Sequence, residues 1–177
     1  MKGKVTEILV EASTIEEKVR DLAAQLNHDY AGKEVIAICL LKGSIIFLSD
    51  LIRHLDFPIT IEVMRASSYG EGTKSSGSVK IITDLETEIK NKHVLVVEDI
   101  VDTGRTLSKT MKLLAFRNPK SLKICTFLDK PSRRVIPINI DYIGMVIEDH
   151  FVVGYGLDYA EYYRNLPYIG ILELEDS

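Results

Sequence analysis

The chain has 177 residues, 46% of them hydrophobic, with only 11 glycines and 5 prolines, which suffices for one cored domain spanning 1–177 and leaves too little for two. Its formal charge of -4 excludes a broad basic footprint, so no nucleic-acid partner is expected. No apolar run is long enough to span a bilayer, and the amino-terminal Met1-Lys2-Gly3-Lys4 has no apolar stretch behind its charges, so neither a membrane partner nor a leader is expected.

In chain order, Ser13-Thr14-Ile15-Glu16 has the form of a capping box. Ile15, Val19, Leu22, Ala23 and Leu26 then recur at helical spacing up to Gly32, which predicts an amphipathic helix. Residues 35–41 are apolar on both faces, as in a parallel strand covered from two sides. Lys42-Gly43 ends that strand and Ser44 is placed to cap a second helix, with Ile45, Leu48, Leu51, Ile52 and Leu55 inward and Pro58 at its exit. Residues 59–65 alternate as a strand. The small, polar run from Ser67 to Gly77 and the renewed strand at 79–82 predict a β-hairpin with a long mobile tip.

Residues 94–97 form a second wholly apolar strand, 98–106 its charged exit, and 107–116 a helix; strand, charged loop and helix make the ligand-bearing unit of open α/β sheets. Further strands are predicted at 122–128, 142–147 and 168–174. The fold class is therefore α/β, a mostly parallel central sheet flanked by helices. Cys39 and Cys125 lie in apolar runs and not at ligand spacing, so they read as buried reduced thiols of a cytoplasmic protein. His28, His54 and His93 are scattered and form no metal constellation.

At Thr103-Gly104-Arg105-Thr106 a helix begins, so free backbone N–H groups, two hydroxyls and the positive dipole end could surround a phosphate monoester. A Thr-Gly pair at such a turn is more often ordinary capping, and it matches neither the Walker pattern nor G-x-G-x-x-G. Glu98, Asp99 and Asp102 crowd the same loop, an arrangement that costs repulsion unless hydroxyls, magnesium or a proton offset it. At the carboxyl end of a central strand, that favours a functional site over a solvated acidic turn.

Residues 96–106, Val-Val-Glu-Asp-Ile-Val-Asp-Thr-Gly-Arg-Thr, resemble the phosphoribosyl diphosphate (PRPP) signature of type I phosphoribosyltransferases. Leu41-Lys42-Gly43 resembles that family's pyrophosphate loop, Ser68-Tyr69 its flexible catalytic loop, Leu128-Asp129-Lys130 its purine-selecting lysine, and residues 151–158 its base-clamping segment. In this order, from about 40 to 164, the set is similar to the hypoxanthine-guanine branch of the family. The resemblance implies a core over about 10–150 and a small C-terminal hood joined by N-terminal residues. It implies Mg²⁺-dependent purine salvage: transfer of the phosphoribosyl group of PRPP to N9 of hypoxanthine or guanine, giving IMP or GMP and pyrophosphate.

Each implied role can be checked against chemistry. Glu98 and Asp99 would accept from the ribose hydroxyls, and with Asp158 would serve the metal. Thr103, Gly104, Arg105 and Thr106 would take the 5-phosphate; many relatives carry lysine where Arg105 stands, an exchange that keeps charge but not geometry. Asp102 would accept the purine N7 proton. Lys130 would donate to the 6-oxo group, Phe151 would stack on the base, and the main chain of Val152 would read its edge. Leu41, Lys42, Gly43 and Arg164 would bind pyrophosphate, with a non-proline cis peptide at Leu41-Lys42 as in relatives. The resemblance also implies a homodimer or homotetramer. Two other readings stay open: a regulator that binds PRPP or nucleotides without catalysis, and a transferase preferring xanthine.

Overall fold

A computed structural model describes residues 3–68 and 79–174. In chain order the elements are β1 (Gly3–Val10), α1 (Ala12–Asp29), β2 (Val35–Leu40), α2 (Ile45–Ile52), β3 (Ile59–Ser68), β4 (Val79–Thr83), β5 (His93–Val101), α3 (Arg105–Ala115), β6 (Ser121–Asp129), β7 (Tyr142–Val146), β8 (Val152–Val153) and β9 (Ile169–Leu174). A single 3₁₀ turn, Pro131–Arg133, follows β6.

The two wholly apolar runs occupy the middle of a six-stranded sheet of order β4-β3-β2-β5-β6-β7. β2 pairs in parallel with β3 and β5, β5 with β6 and β6 with β7, while β4 lies antiparallel to β3 at one edge. Both faces of the central strands are covered, which is why no polar residue interrupts them. On one face Ala37, Cys39, Leu95 and Val97 meet Leu22 and Leu26 of α1 and Phe47 and Leu51 of α2. On the other, Ile36, Ile38, Val94 and Val96 meet Leu107 and Leu114 of α3. Cys39 and Cys125 are both buried free thiols. Among the described residues no helix is long and apolar enough to cross a membrane.

Three local expectations are corrected. Ser13 does not cap α1: the helix begins at Ala12, Glu11 is the extended cap residue, and its carbonyl accepts from the Ile15 N–H at 3.0 Å. The cause is β1, which runs to Val10 and sets the strand-to-helix turn one residue further on. Ser44 stands at the α2 cap position, but its fully buried hydroxyl donates to the Leu40 carbonyl at 2.7 Å; buried away from water, it takes the nearest acceptor. Helix α3 starts at Arg105, two residues before the apolar periodicity begins, because Gly104 at φ 77° turns the chain directly into it.

A second sheet, β1-β9-β8, joins the amino-terminal strand to the last two. β1 pairs antiparallel with β9 from Gly3 opposite Leu174 to Val10 opposite Ile169. β1 was not expected from the sequence, since its exposure pattern is irregular and its partner lies at the other end of the chain. The function of this sheet in the architecture is positional: it carries residues 149–164 to the edge where the parallel strands end.

Candidate active site

Parallel strands deliver all their carboxyl ends to one edge. β2 therefore brings Leu41-Lys42-Gly43, β5 brings 98–104, and β6 brings Lys130 to a common rim. The Leu41-Lys42 peptide is cis.

The β5 exit holds its acids only partly partnered. Oε2 of Glu98 and Oδ1 of Asp102 are buried and accept no hydrogen bond. Burial, with Asp99 beside it, pushes the Glu98 carboxyl well above the usual carboxylate range. Burial also raises Asp99 to about 6, against the Ile100 N–H that donates to its Oδ1 at 2.9 Å and favours the ionised form. Adjacent to these acids, residues 100–107 line a concavity of about 140 Å³ that Glu98 also borders. At its floor Gly104 is left-handed, and a Cβ there would lie 2.7 Å from the Ile136 carbonyl. The Ser108 N–H closes the first helical bond to the Gly104 carbonyl at 2.9 Å. The Arg105 N–H is met weakly by Thr103 Oγ1 at 3.4 Å, and the other N–H groups of the helix start have no intrahelical acceptor, an arrangement suited to anions. Arg105 is exposed.

Gly43 locks two further segments to this exit. A Cβ at Gly43 would lie 1.6 Å from Oδ2 of Asp99, and a Cβ at Gly156, itself at φ 98°, would lie 2.0 Å from the Gly43 carbonyl. Residues 156–164 are then tied back: Arg164 Nη1 donates to the Gly156 carbonyl at 2.7 Å, and its Nη2 pairs with Asp158 Oδ1 at 2.8 Å. Lys42 Nζ donates to Glu161 Oε2 at 2.7 Å. Lys42 and Arg164, remote in sequence, therefore face the same space.

Lys130 is buried, its ammonium donating to the His150 carbonyl at 2.6 Å with Asp149 at 3.7 Å. Phe151 is half exposed, edge-on to Tyr159 at 5.7 Å between ring centroids. The Phe151 carbonyl accepts from the Leu172 N–H at 2.8 Å. Antiparallel ladders alternate, so Val152, next in line on the edge strand β8, turns its own N–H and C=O away from β9. Tyr69 lies outside the described residues; Ser68 is the last residue of β3, and its side chain also lies outside what is described.

Sequence reasoning missed three residues. Arg134 donates from Nε to the Asp102 carbonyl at 2.9 Å and from Nη2 to the Val101 carbonyl at 3.1 Å, and it pairs with Asp129. Both side chains of that pair are nearly buried. Arg133 reaches Asp102 at 3.5 Å and Asp149 at 3.6 Å. The third is Glu161, against Lys42. For the two arginines the available signal was a basic pair shortly after Lys130, at the exit of a site-bearing strand.

Among the described residues no group of three or more His, Cys, Asp or Glu side chains is gathered to enclose a metal. Of the implied metal residues Glu98, Asp99 and Asp158, the last is engaged by Arg164 and by the Glu161 N–H at 2.9 Å. As an open set the three fit Mg²⁺, since the donors are carboxylate oxygens, one of them orphaned, and Asp158 lies near enough to raise Asp99. Magnesium typically completes its octahedron with water and substrate phosphate.

Fold and site together define an α/β protein that gathers acids, hydroxyls and a helix start at the carboxyl rim of a parallel sheet. The chain belongs to the phosphoribosyl transferase domain family, whose model matches residues 5–160. Within it, the chain is 49% identical over 175 residues to a hypoxanthine-guanine phosphoribosyltransferase of Staphylococcus aureus, covering 99% of this chain and 98% of that one. It is 47% identical to the bifunctional protein TilS/HprT of Listeria monocytogenes over 99% of this chain, and it spans only 27% of that protein's length. A crystal structure of a hypoxanthine phosphoribosyltransferase from S. aureus superposes with a TM-score of 0.92 at 50% identity, covering 96% of this chain and 92% of that one.

Proposed function

We propose that this chain, as a single domain, transfers the 5-phosphoribosyl group from PRPP to N9 of hypoxanthine or guanine, a purine-salvage reaction releasing pyrophosphate. The observation that carries the reading is the juxtaposition of Glu98, whose buried Oε2 has no hydrogen-bond partner, and Asp102, whose Oδ1 has only a long ion pair with Arg133, with a helix start at 103–106. Hydroxyl donors of a ribose would satisfy Glu98 and Asp99, and a 5-phosphate would accept from the backbone of Thr103, Gly104, Arg105 and Thr106 beside the two threonine hydroxyls. Asp102 would accept the N7 proton as N9 attacks the anomeric carbon, and would return it in the reverse reaction. Phe151 would cover the base, Val152 would bond its edge through the outward main chain, and Lys130 would donate to the 6-oxo group. Leu41, Lys42, Gly43 and Arg164 would hold the departing diphosphate. Glu98, Asp99 and Asp158 would hold Mg²⁺ jointly with substrate oxygens; the ion supplies charge neutralisation for the leaving polyanion.

The test is a steady-state assay with PRPP, Mg²⁺ and each of hypoxanthine, guanine, xanthine, adenine and uracil. The 6-oxopurines should turn over, and adenine should be disfavoured by about 1–3 kcal/mol, because its amino group leaves the Lys130 ammonium unsatisfied. Comparable efficiency with adenine would remove the Lys130 role. Binding of PRPP without turnover of any base would replace the enzyme by a regulator. A homodimer or homotetramer belongs to the same proposal, supported by the exposed apolar Ile45, Ile61 and Val63; a monomer at micromolar concentration in sedimentation would exclude it. Cytoplasmic location is proposed from the two unbridged thiols.

A further inference from the structure

The two cations that face the diphosphate space do not stand free. The carboxylate of Glu161 lies between them, with Oε2 2.7 Å from Lys42 Nζ and 3.5 Å from Arg164 Nη2. The turn that presents it is conformationally specific: Ala160, Glu161 and Tyr163 all adopt positive φ, at 51°, 71° and 75°, although none is glycine. Such residues persist where surrounding contacts impose them, and the Glu161 N–H bond to Asp158 is one such contact. A lysine and an arginine bridged by one carboxylate offer the charge pattern that a phosphate oxygen would otherwise meet.

We infer that Glu161 is an internal competitor for the diphosphate subsite, a carboxylate that occupies Lys42 and Arg164 when the site is empty, yields to the diphosphate of PRPP, and returns to the two cations as pyrophosphate leaves. The inference rests on the proposed diphosphate role of Lys42 and Arg164. Glu161 is thereby a residue that tunes substrate affinity and product release without touching the reacting atoms. Its side chain is 61% exposed, so swinging it into water costs little and its ion pairs are weak ones. A tenant of that kind can be displaced by a polyanion yet still bias the exchange.

The experiment compares the full-length protein with Glu161→Gln, Glu161→Asp and Lys42→Gln, measuring calorimetric affinity for Mg²⁺-pyrophosphate, the pyrophosphate off-rate, and kcat and KM for PRPP. Glu161→Gln should bind pyrophosphate about 3- to 10-fold tighter, the scale of one or two exposed ion pairs, release it more slowly, and lower KM for PRPP. Affinity for the nucleotide product alone, which leaves the diphosphate subsite empty, should stay unchanged. Glu161→Asp, one methylene shorter, should fall between. Unchanged or weaker pyrophosphate binding in Glu161→Gln, with Lys42→Gln impaired, overturns the competitor and leaves the diphosphate subsite standing. Normal pyrophosphate binding in Lys42→Gln overturns both. Equal tightening for pyrophosphate and nucleotide would mark a general charge effect and also overturns the inference.

Discussion

The exit of β5 and the turn at 158–164 carry similar numbers of charges and treat them in opposite ways. At the β5 exit, Glu98 and Asp99 are desolvated, and Oε2 of Glu98 has no hydrogen-bond partner. In the turn, Asp158, Glu161 and Arg164 pair with one another and with Lys42. The first region carries an electrostatic penalty that a ligand relieves; the second is self-neutralised and must exchange partners. On the proposed function, the first is set before binding and the second exchanges partners on binding.

Substitutions can break this contrast, beginning with the largest effect. Asp102→Asn should lower kcat on the order of 10²–10⁴-fold, the range for a positioned proton acceptor; turnover unchanged at saturating substrates would remove Asp102 from the chemistry. Arg134→Leu should destabilise the protein by about 3–5 kcal/mol, because Asp129 would be left buried and unpaired and the carbonyls of Val101 and Asp102 would lose a donor. Urea denaturation measures this, and a loss near zero would show that the clamp on the β5 exit is dispensable.

Asp99→Asn probes the penalty itself. The folded protein keeps its Asp99 proton up to about 6, whereas the ordinary value is 3.8. Between those values the folded state binds more protons than the unfolded chain, so the contribution of Asp99 to stability falls as pH rises through that window and stays low above it. The variant should therefore be more stable than the parent by about 3 kcal/mol at pH 8 and equal to it only well below the ordinary value of 3.8, while losing PRPP affinity. A pH-independent difference would place the cause elsewhere. At the other extreme, Glu161→Gln should leave the urea midpoint unaltered, since exposed ion pairs contribute little; a marked loss would make the turn structural and erase the contrast between the two regions.

The two regions also differ in how far they could be read in advance. Residues 98–106 form one uninterrupted segment, and their acids, hydroxyls and glycine announce themselves between an apolar strand and a helix. Residues 158–164 look like an ordinary polar loop; Asp158 and Arg164 were found only through family likeness, and Glu161 not at all. Arg133 and Arg134 were overlooked because a basic pair after a strand reads as solvated surface until the fold brings Asp102, Asp129 and Asp149 around it. The capping serines misled for a related reason: both match a local rule, and both are overruled by neighbours, Ser13 by β1 and Ser44 by the buried Leu40 carbonyl.

By itself the amino-acid sequence determined which strands would be central, because burial on both faces requires uninterrupted apolar residues, and it determined where the acid- and hydroxyl-rich loop after β5 lies, because that loop is contiguous. Tertiary structure alone decided the pairing of β1 with β9, the wedge of Gly43 between Asp99 and Gly156, and the meeting of Lys42 with Glu161 across 119 positions. Periodicity and capping act over a few residues, so they leave a local trace. Contacts between distant segments depend on how strands order and cross, and side-chain chemistry records them only once the chain has closed on itself.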